Sequence, residues 1–324
     1  MIKINMLSSA DKVKGQGVGS AYLEQVELMK SSKKFKIFIN SNEECDILHF
    51  HTIHLKFYFK LLFSKKIKVI YVHFLPHTLD GSIKLPKLIF NIFKKYVISF
   101  YKKADYLVVV NPIFIKELKQ YNIKSEIVYI PNYVSKEKFF IKKRKDKKFK
   151  VLSVGQIQTR KGVLDFIKVA KKLPDIEFIW AGGFSFKNIT DGYKELKKEV
   201  EKPIKNVKFL GIIPREEMND VYNECDLLFM PSYNELFPMT ILEAVNLEKP
   251  LLLRDLELYE DILFNKYIKN KNNDEFVKNI LKLKNDKNYY KKYSIYSKEI
   301  SEFYSKQNVL KLWEEFYSKT IKNL

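Results

Sequence analysis

Glu235 and Glu243 stand eight positions apart in the run PSYNELFPMTILEA at residues 231–244. The first follows a strand-like apolar stretch and the second falls in a helical pattern. Upstream, VGQIQTRKG at residues 154–162 ends a buried strand and places two adjacent cations, Arg160 and Lys161, at the start of a helix. Lys161 supplies a point charge, Arg160 a planar fork and the helix N-terminus a positive dipole end, a combination that suits a diphosphate; the competing reading is a solvated strand-to-helix turn. In GQGVGS, at residues 15–20, Gly17 and its neighbours leave the backbone free to approach a phosphate or sugar, or form a plain flexible loop. All five histidines lie between residues 49 and 77. His49 and His51 face one side of a strand, but no carboxylate or cysteine completes a ligand set, and no D-x-D pair is present to hold a metal on a nucleotide, so no metal is expected.

The elements that must carry these residues follow from the pattern. Short apolar runs at residues 2–7, 36–39, 47–51, 69–74, 107–110 and 127–130 alternate with helical stretches. The cycle restarts at 151–154 and continues through 177–181, 207–210, 226–230 and 251–253. Alternation of this kind makes an α/β protein with parallel sheets, and 324 residues make two such domains. The boundaries expected are a first Rossmann-like domain over 1–141, a basic linker over 142–150, a second over 151–300, and a helical segment over 301–324 that packs back across the domains. Ligands of such folds bind beyond the carboxyl ends of the strands.

Charge is uneven: of a net +21, residues 1–150 hold 30 basic and 12 acidic side chains, or +18. That asymmetry points to a polyanionic partner. In the segments at 54–68 and 84–103 the lysines are mixed with large apolar side chains. Within the second, Leu88, Ile89, Ile92, Phe93, Tyr96, Val97 and Phe100 recur at helical spacing, with Lys87, Lys94, Lys95, Lys102 and Lys103 around them. The stripe reads as a core helix with a solvated rim or as a helix lying on an anionic membrane, and two such segments in one basic half favour the membrane. A nucleic-acid partner is not expected, since no stacking platform accompanies the charge. With two distant cysteines, no secretory signal pattern and no long apolar span, the protein is expected in the cytoplasm.

The E-x7-E pair followed by Ala244, the preceding Pro231-Ser232 and the upstream G-x5-K-G resemble the retaining nucleotide-sugar glycosyltransferases of family 4, with the GT-B fold of two Rossmann-like domains about a central cleft. The resemblance implies that Lys161 clamps the donor diphosphate, that Glu243 accepts from ribose hydroxyls and that Glu235 lies against the donor sugar. It also implies that Phe237, Pro238 and Met239 meet sugar and phosphate, and that Gly211 and Ile212 read the base. His73, ending the strand VIYVH, matches the histidine beside the transferred sugar. Gln156 stands where the family has arginine, which leaves Arg160 as the candidate for that charge. The blocks MLSSADKVKGQGVGSAYLE, AGGFSFKNITDGYKELKK and LLLRDLELYEDIL look like those of bacterial diglycosyl-diacylglycerol synthases. The expected partners are therefore UDP-glucose or UDP-galactose, a diacylglycerol glycolipid and the anionic inner face of the cell membrane, with no cofactor or metal. The alternative acceptor is a cell-wall or capsule saccharide.

Overall fold

A computed structural model describes residues 1–10, 17–75, 86–144, 146, 148–185 and 190–322. The chain forms two units: the described residues up to Tyr133 belong with Tyr304 onward, and Val134–Phe303 forms the other.

In the first unit the order is β1 (Ile2–Leu7), α1 (Gly17–Lys30), β2 (Phe35–Ile39), β3 (Ile47–Phe50), α2 (Leu55–Phe63), β4 (Ile67–Val72), α3 (Lys87–Tyr101), β5 (Tyr106–Val109), α4 (Ile113–Lys119) and β6 (Glu126–Tyr129). Its sheet runs β2-β1-β3-β4-β5-β6, every neighbour parallel. All four residues of β3, and the last four of β1 and of β4, are buried, as happens when helices cover both faces of a sheet. The strand order reverses between β1 and β3, the point where a crevice opens at the strands' carboxyl ends.

The second unit contains β7 (Lys150–Val154), α5 (Val163–Lys171), β8 (Glu177–Ala181), α6 (Tyr193–Glu201), β9 (Val207–Gly211), α7 (Met218–Asn223), β10 (Leu227–Met230), α8 (Met239–Asn246), β11 (Leu251–Arg254), α9 (Leu258–Leu263), β12 (Ile268–Asn270), α10 (Asn273–Asn285) and α11 (Lys287–Phe303). The parallel order β12-β11-β10-β7-β8-β9 is the Rossmann arrangement, reversing between β7 and β10. Val151, Phe166, Phe178, Trp180, Phe229 and Phe276 fill its core.

The final helix, α12 (Lys306–Lys322), packs on α1 in the first unit and buries Trp313 and Tyr317 there. The division between units falls between Tyr133 and Val134, ahead of the basic run at 142–150 in which the sequence reading put a linker. In that run Lys145 and Lys147 lie outside the described residues, while Arg144 Nη1 meets Asp226 Oδ2 at 3.0 Å and Lys150 opens β7. These contacts tie the described part of the run to the second unit.

Candidate functional site

Lys161 and Glu235 come from the loops after β7 and β10, the two strands that flank the reversal of sheet order. Gln158 leads into a single 3-10 turn, Thr159–Lys161, and Gly162 then takes φ 72° to open α5. A Cβ at Gly162 would lie 2.3 Å from the Pro231 carbonyl oxygen, so only glycine lets the two loops approach this closely. The Tyr233 N–H donates to the Arg160 carbonyl at 2.8 Å, stitching the loops together. At the base, Asp165 on α5 accepts from Arg254 Nη2 at 2.6 Å and from Tyr233 Oη, and Arg254 Nε donates to the Pro231 carbonyl at 2.9 Å.

Lys161 Nζ lies 2.5 Å from Glu235 Oε1, with 13% and 6% of the two side chains exposed. Burial lowers the Lys161 pKa, and the neighbouring Glu235 carboxylate opposes that shift. The pair is a desolvated cation and anion held together at the mouth of a parallel sheet. Arg160 is committed differently: Nε donates to Gln158 Oε1 at 3.1 Å and Nη1 to the Asn234 carbonyl at 3.0 Å. One of its five N–H donors thus braces the loop that carries Glu235, and another holds its own loop.

Eight residues on, Glu243 is buried on α8, whose first residues follow Phe237 and Pro238. Arg215 Nη1 donates to Glu243 Oε1 at 2.5 Å and Tyr222 Oη to Oε2 at 2.8 Å. Burial first, then the Glu243 charge, holds the Tyr222 hydroxyl well above its ordinary pKa, so it remains a donor. Phe237 and Met239 are buried, and Pro238 caps α8. Gly211 ends β9 at φ 71°, and the following Ile212 is exposed. Sequence reasoning missed Arg215 and Tyr222. Arg215 stands in a 3-10 turn, Arg215–Glu217, ahead of α7, where a lone cation reads as solvated unless the carboxylate facing it is already known.

In the first unit, His73 follows β4, His49 lies on β3 and His51 just beyond it, so adjacent strands bring the three rings together. His49 and His51 stack with centroids 4.4 Å apart, and His51 Nδ1 lies 3.3 Å from His73 Nε2. His54 instead caps α2, accepting from the Lys56 N–H, and His77 lies outside the described residues. Burial drives the pKa of His49 and His73 down to about 3 and that of His51 well below its usual value. Among the described residues, no group of three or more His, Cys, Asp or Glu side chains is placed to hold a metal ion. Gly17 opens α1 and is exposed; Gly15 and Gln16 fall outside the described residues, as do residues 186–189 of the AGGFSFKNITDGY block.

The basic apolar stripe divides along α3. Val97 and Phe100 are core residues, whereas Leu88, Ile89 and Ile92 are exposed, Leu88 by 73%. The core reading of that helix therefore holds for its C-terminal half. Tyr58 on α2 bonds Ser99 on α3 at 2.7 Å, and α2 leaves Leu55, Phe59 and Phe63 exposed, Phe63 by 81%. No described helix is long and apolar enough to cross a membrane.

Two units, each a covered parallel sheet with charged or polar loops at its carboxyl ends, make the GT-B glycosyltransferase architecture. The chain belongs to the group 1 glycosyl transferases, whose family model matches residues 134–300. It is 44% identical, over 98% of its length and 90% of the relative's, to the alpha-galactosylglucosyldiacylglycerol synthase of Streptococcus pneumoniae. The processive diacylglycerol alpha-glucosyltransferase of Acholeplasma laidlawii is 28% identical over 84% of each chain. A similar solved structure, Anabaena HepE in complex with UDP-glucose, superposes with a TM-score of 0.78 at 14% identity, over 98% of this chain and 100% of that one.

Proposed function

We propose that the protein is a retaining, metal-independent hexosyltransferase that moves glucose or galactose from its UDP carrier to a monoglucosyl-diacylglycerol at an anionic membrane surface. The observation that carries the donor half is the buried Lys161–Glu235 pair at the reversal of sheet order. When a nucleoside diphosphate sugar enters, the Lys161 ammonium meets the diphosphate, and Glu235 beside it takes hydroxyls of the hexose. Glu243, held by Arg215 and Tyr222, keeps lone pairs for the ribose. Gly211 and Ile212 take the base, and His73 contacts the sugar.

In the reaction the bond from the anomeric carbon to the diphosphate oxygen breaks while the acceptor oxygen attacks from the same face. The departing diphosphate oxygen takes the acceptor's proton, and Lys161, helped by the backbone N–H groups opening α5 and α8, neutralises the leaving group. The crystallised neighbour's UDP-glucose supports the choice of carrier, and the two relatives, one named for a galactosylglucosyldiacylglycerol and one for glucosyl transfer to diacylglycerol, support the lipid acceptor. The exposed apolar residues of α2 and α3 support membrane docking, with Lys56, Lys60, Lys87, Lys94, Lys95, Lys102 and Lys103 as its basic rim.

The test is incubation with UDP-glucose or UDP-galactose and monoglucosyl-diacylglycerol in anionic micelles, with and without EDTA. Product mass and linkage identify donor and acceptor, and the coupling of the new anomeric proton reports retention. Transfer to a soluble saccharide but not to the glycolipid would refute the lipid acceptor, and a β-linked product would refute retention.

A further inference from the structure

We infer that His51 is a positioning residue that fixes the tautomer of His73, so that His73 presents its Nδ1–H outward; the consequence for turnover rests on His73 contacting the sugar as proposed above. Both rings are neutral at pH 7, which leaves one N–H on each. His51 Nδ1 and His73 Nε2 lie 3.3 Å apart, and one of them carries the shared proton. The other nitrogen decides which. His51 Nε2 is buried with no hydrogen-bond partner. If His73 donated, His51 would carry its proton on that nitrogen and bury an orphaned N–H; if His51 Nδ1 donates, only a bare lone pair goes unpaired. Orphaned buried N–H groups are the rarer and costlier case.

With Nε2 accepting, His73 carries its proton on Nδ1. The residue as a whole is half-buried, and no described group bonds that nitrogen. Free neutral imidazole side chains favour the opposite tautomer, so the His51 contact selects the minor form. The selector itself is held rigid: His51 is stacked on His49 and lies edge-on to Tyr22 at 4.8 Å and Tyr71 at 5.7 Å. A ligand hydroxyl or phosphate oxygen meeting His73 would therefore be met by a hydrogen-bond donor. Holding a ring in one tautomer for a neighbouring reaction is a role that other enzymes give to a buried carboxylate.

The experiment uses the full chain with ring-15N-labelled histidine at pH 7.5, with signals assigned through single substitutions. The His73 Nδ1 signal is expected in the protonated range and Nε2 in the bare range, and His51→Phe is expected to shift His73 toward Nε2–H. A protonated Nε2 on His73 in the unsubstituted protein would overturn the inference. Turnover supplies the second readout. Asparagine places an amide N–H where His51 Nδ1 stands, whereas phenylalanine keeps the ring packing and loses the donor. His51→Phe should lower kcat about tenfold, the worth of one hydrogen bond, and His51→Asn should stay within about threefold of the parent. The reverse order, with Phe active and Asn impaired at equal melting temperature, would make His51 a packing residue and end the proposal. Full turnover in His73→Ala would refute the sugar contact alone, since the spectrum of the unsubstituted protein reports the tautomer independently of it.

Discussion

The Lys161 ammonium has one buried counter-ion, and removing it affects stability and binding separately. Lys161→Met leaves the Glu235 carboxylate buried beside an apolar chain, which costs about 3–5 kcal/mol and lowers the melting temperature. Adding Glu235→Gln removes that lone charge, and most of the loss should return. Affinity for the UDP-sugar should not return: it should fall about 10- to 100-fold in both variants, measured by calorimetric titration. A double variant that binds normally would show that Lys161 does not touch the diphosphate. Because burial lowers the Lys161 pKa from 10.5, its ammonium is lost at a lower pH than an exposed lysine's. Donor affinity is thus expected to decline with rising pH before 10.5 is reached, and a flat alkaline profile would contradict this. That Lys161 and Glu235 follow strands and Glu243 lies on a helix was legible in the apolar pattern around them, while the roles expected of them came from the family resemblance. Arg215 and Tyr222 were not, since their meaning lies in a partner 28 or 21 residues away that only the folded sheet brings near.

At the scale of elements, α2 and α3 make the membrane prediction specific. Replacing Lys94, Lys95, Lys102 and Lys103 together should weaken pelleting with anionic vesicles more than a hundredfold, at about 1 kcal/mol for each lysine. Leu88, Ile89 and Ile92 are already exposed, so changing all three to Ser should lower vesicle binding and leave the melting temperature nearly unchanged. Unaltered pelleting in both variants would remove the membrane role from this face. The ends of β3 and β4 carry a different expectation. Each neutral histidine there binds its proton only far below 6.5, so the unfolded chain holds more protons as pH falls from that value. Stability is then full above pH 6.5 and is lost on acidification, by at most about 1.4 kcal/mol per pH unit for each ring. Thermal melts between pH 7.5 and 4.5 should show the slope, and His49→Phe should remove part of it. Most strands were legible as buried apolar runs, β1 and β8 to the residue. The three residues of β12, Ile-Lys-Asn, were not, because a strand so short at a sheet edge has no periodicity to read. The division of α3 into a core half and an exposed half was also invisible, since both halves carry the same apolar spacing.

Over the whole molecule, the first unit is completed by a distant segment. Trp313 and Tyr317 pack against His49 and Tyr71, and Glu314 pairs with Lys34 at 2.7 Å. Trp313→Ala should destabilise that unit by about 3–5 kcal/mol. UDP-sugar binding, proposed to rest mainly on Lys161 and Glu243 of the other unit, should survive, so that calorimetry shows one transition shifted and one kept. Equal shifts of both would mean the units melt as one body.

That return of α12 also orders the protein's birth. A ribosome releases the whole of Val134–Phe303 before it makes the helix that covers the earlier sheet. The half begun first must therefore wait, with its aromatic floor uncovered, until the half begun second has already emerged, and the nascent protein is most in need of a chaperone during that interval.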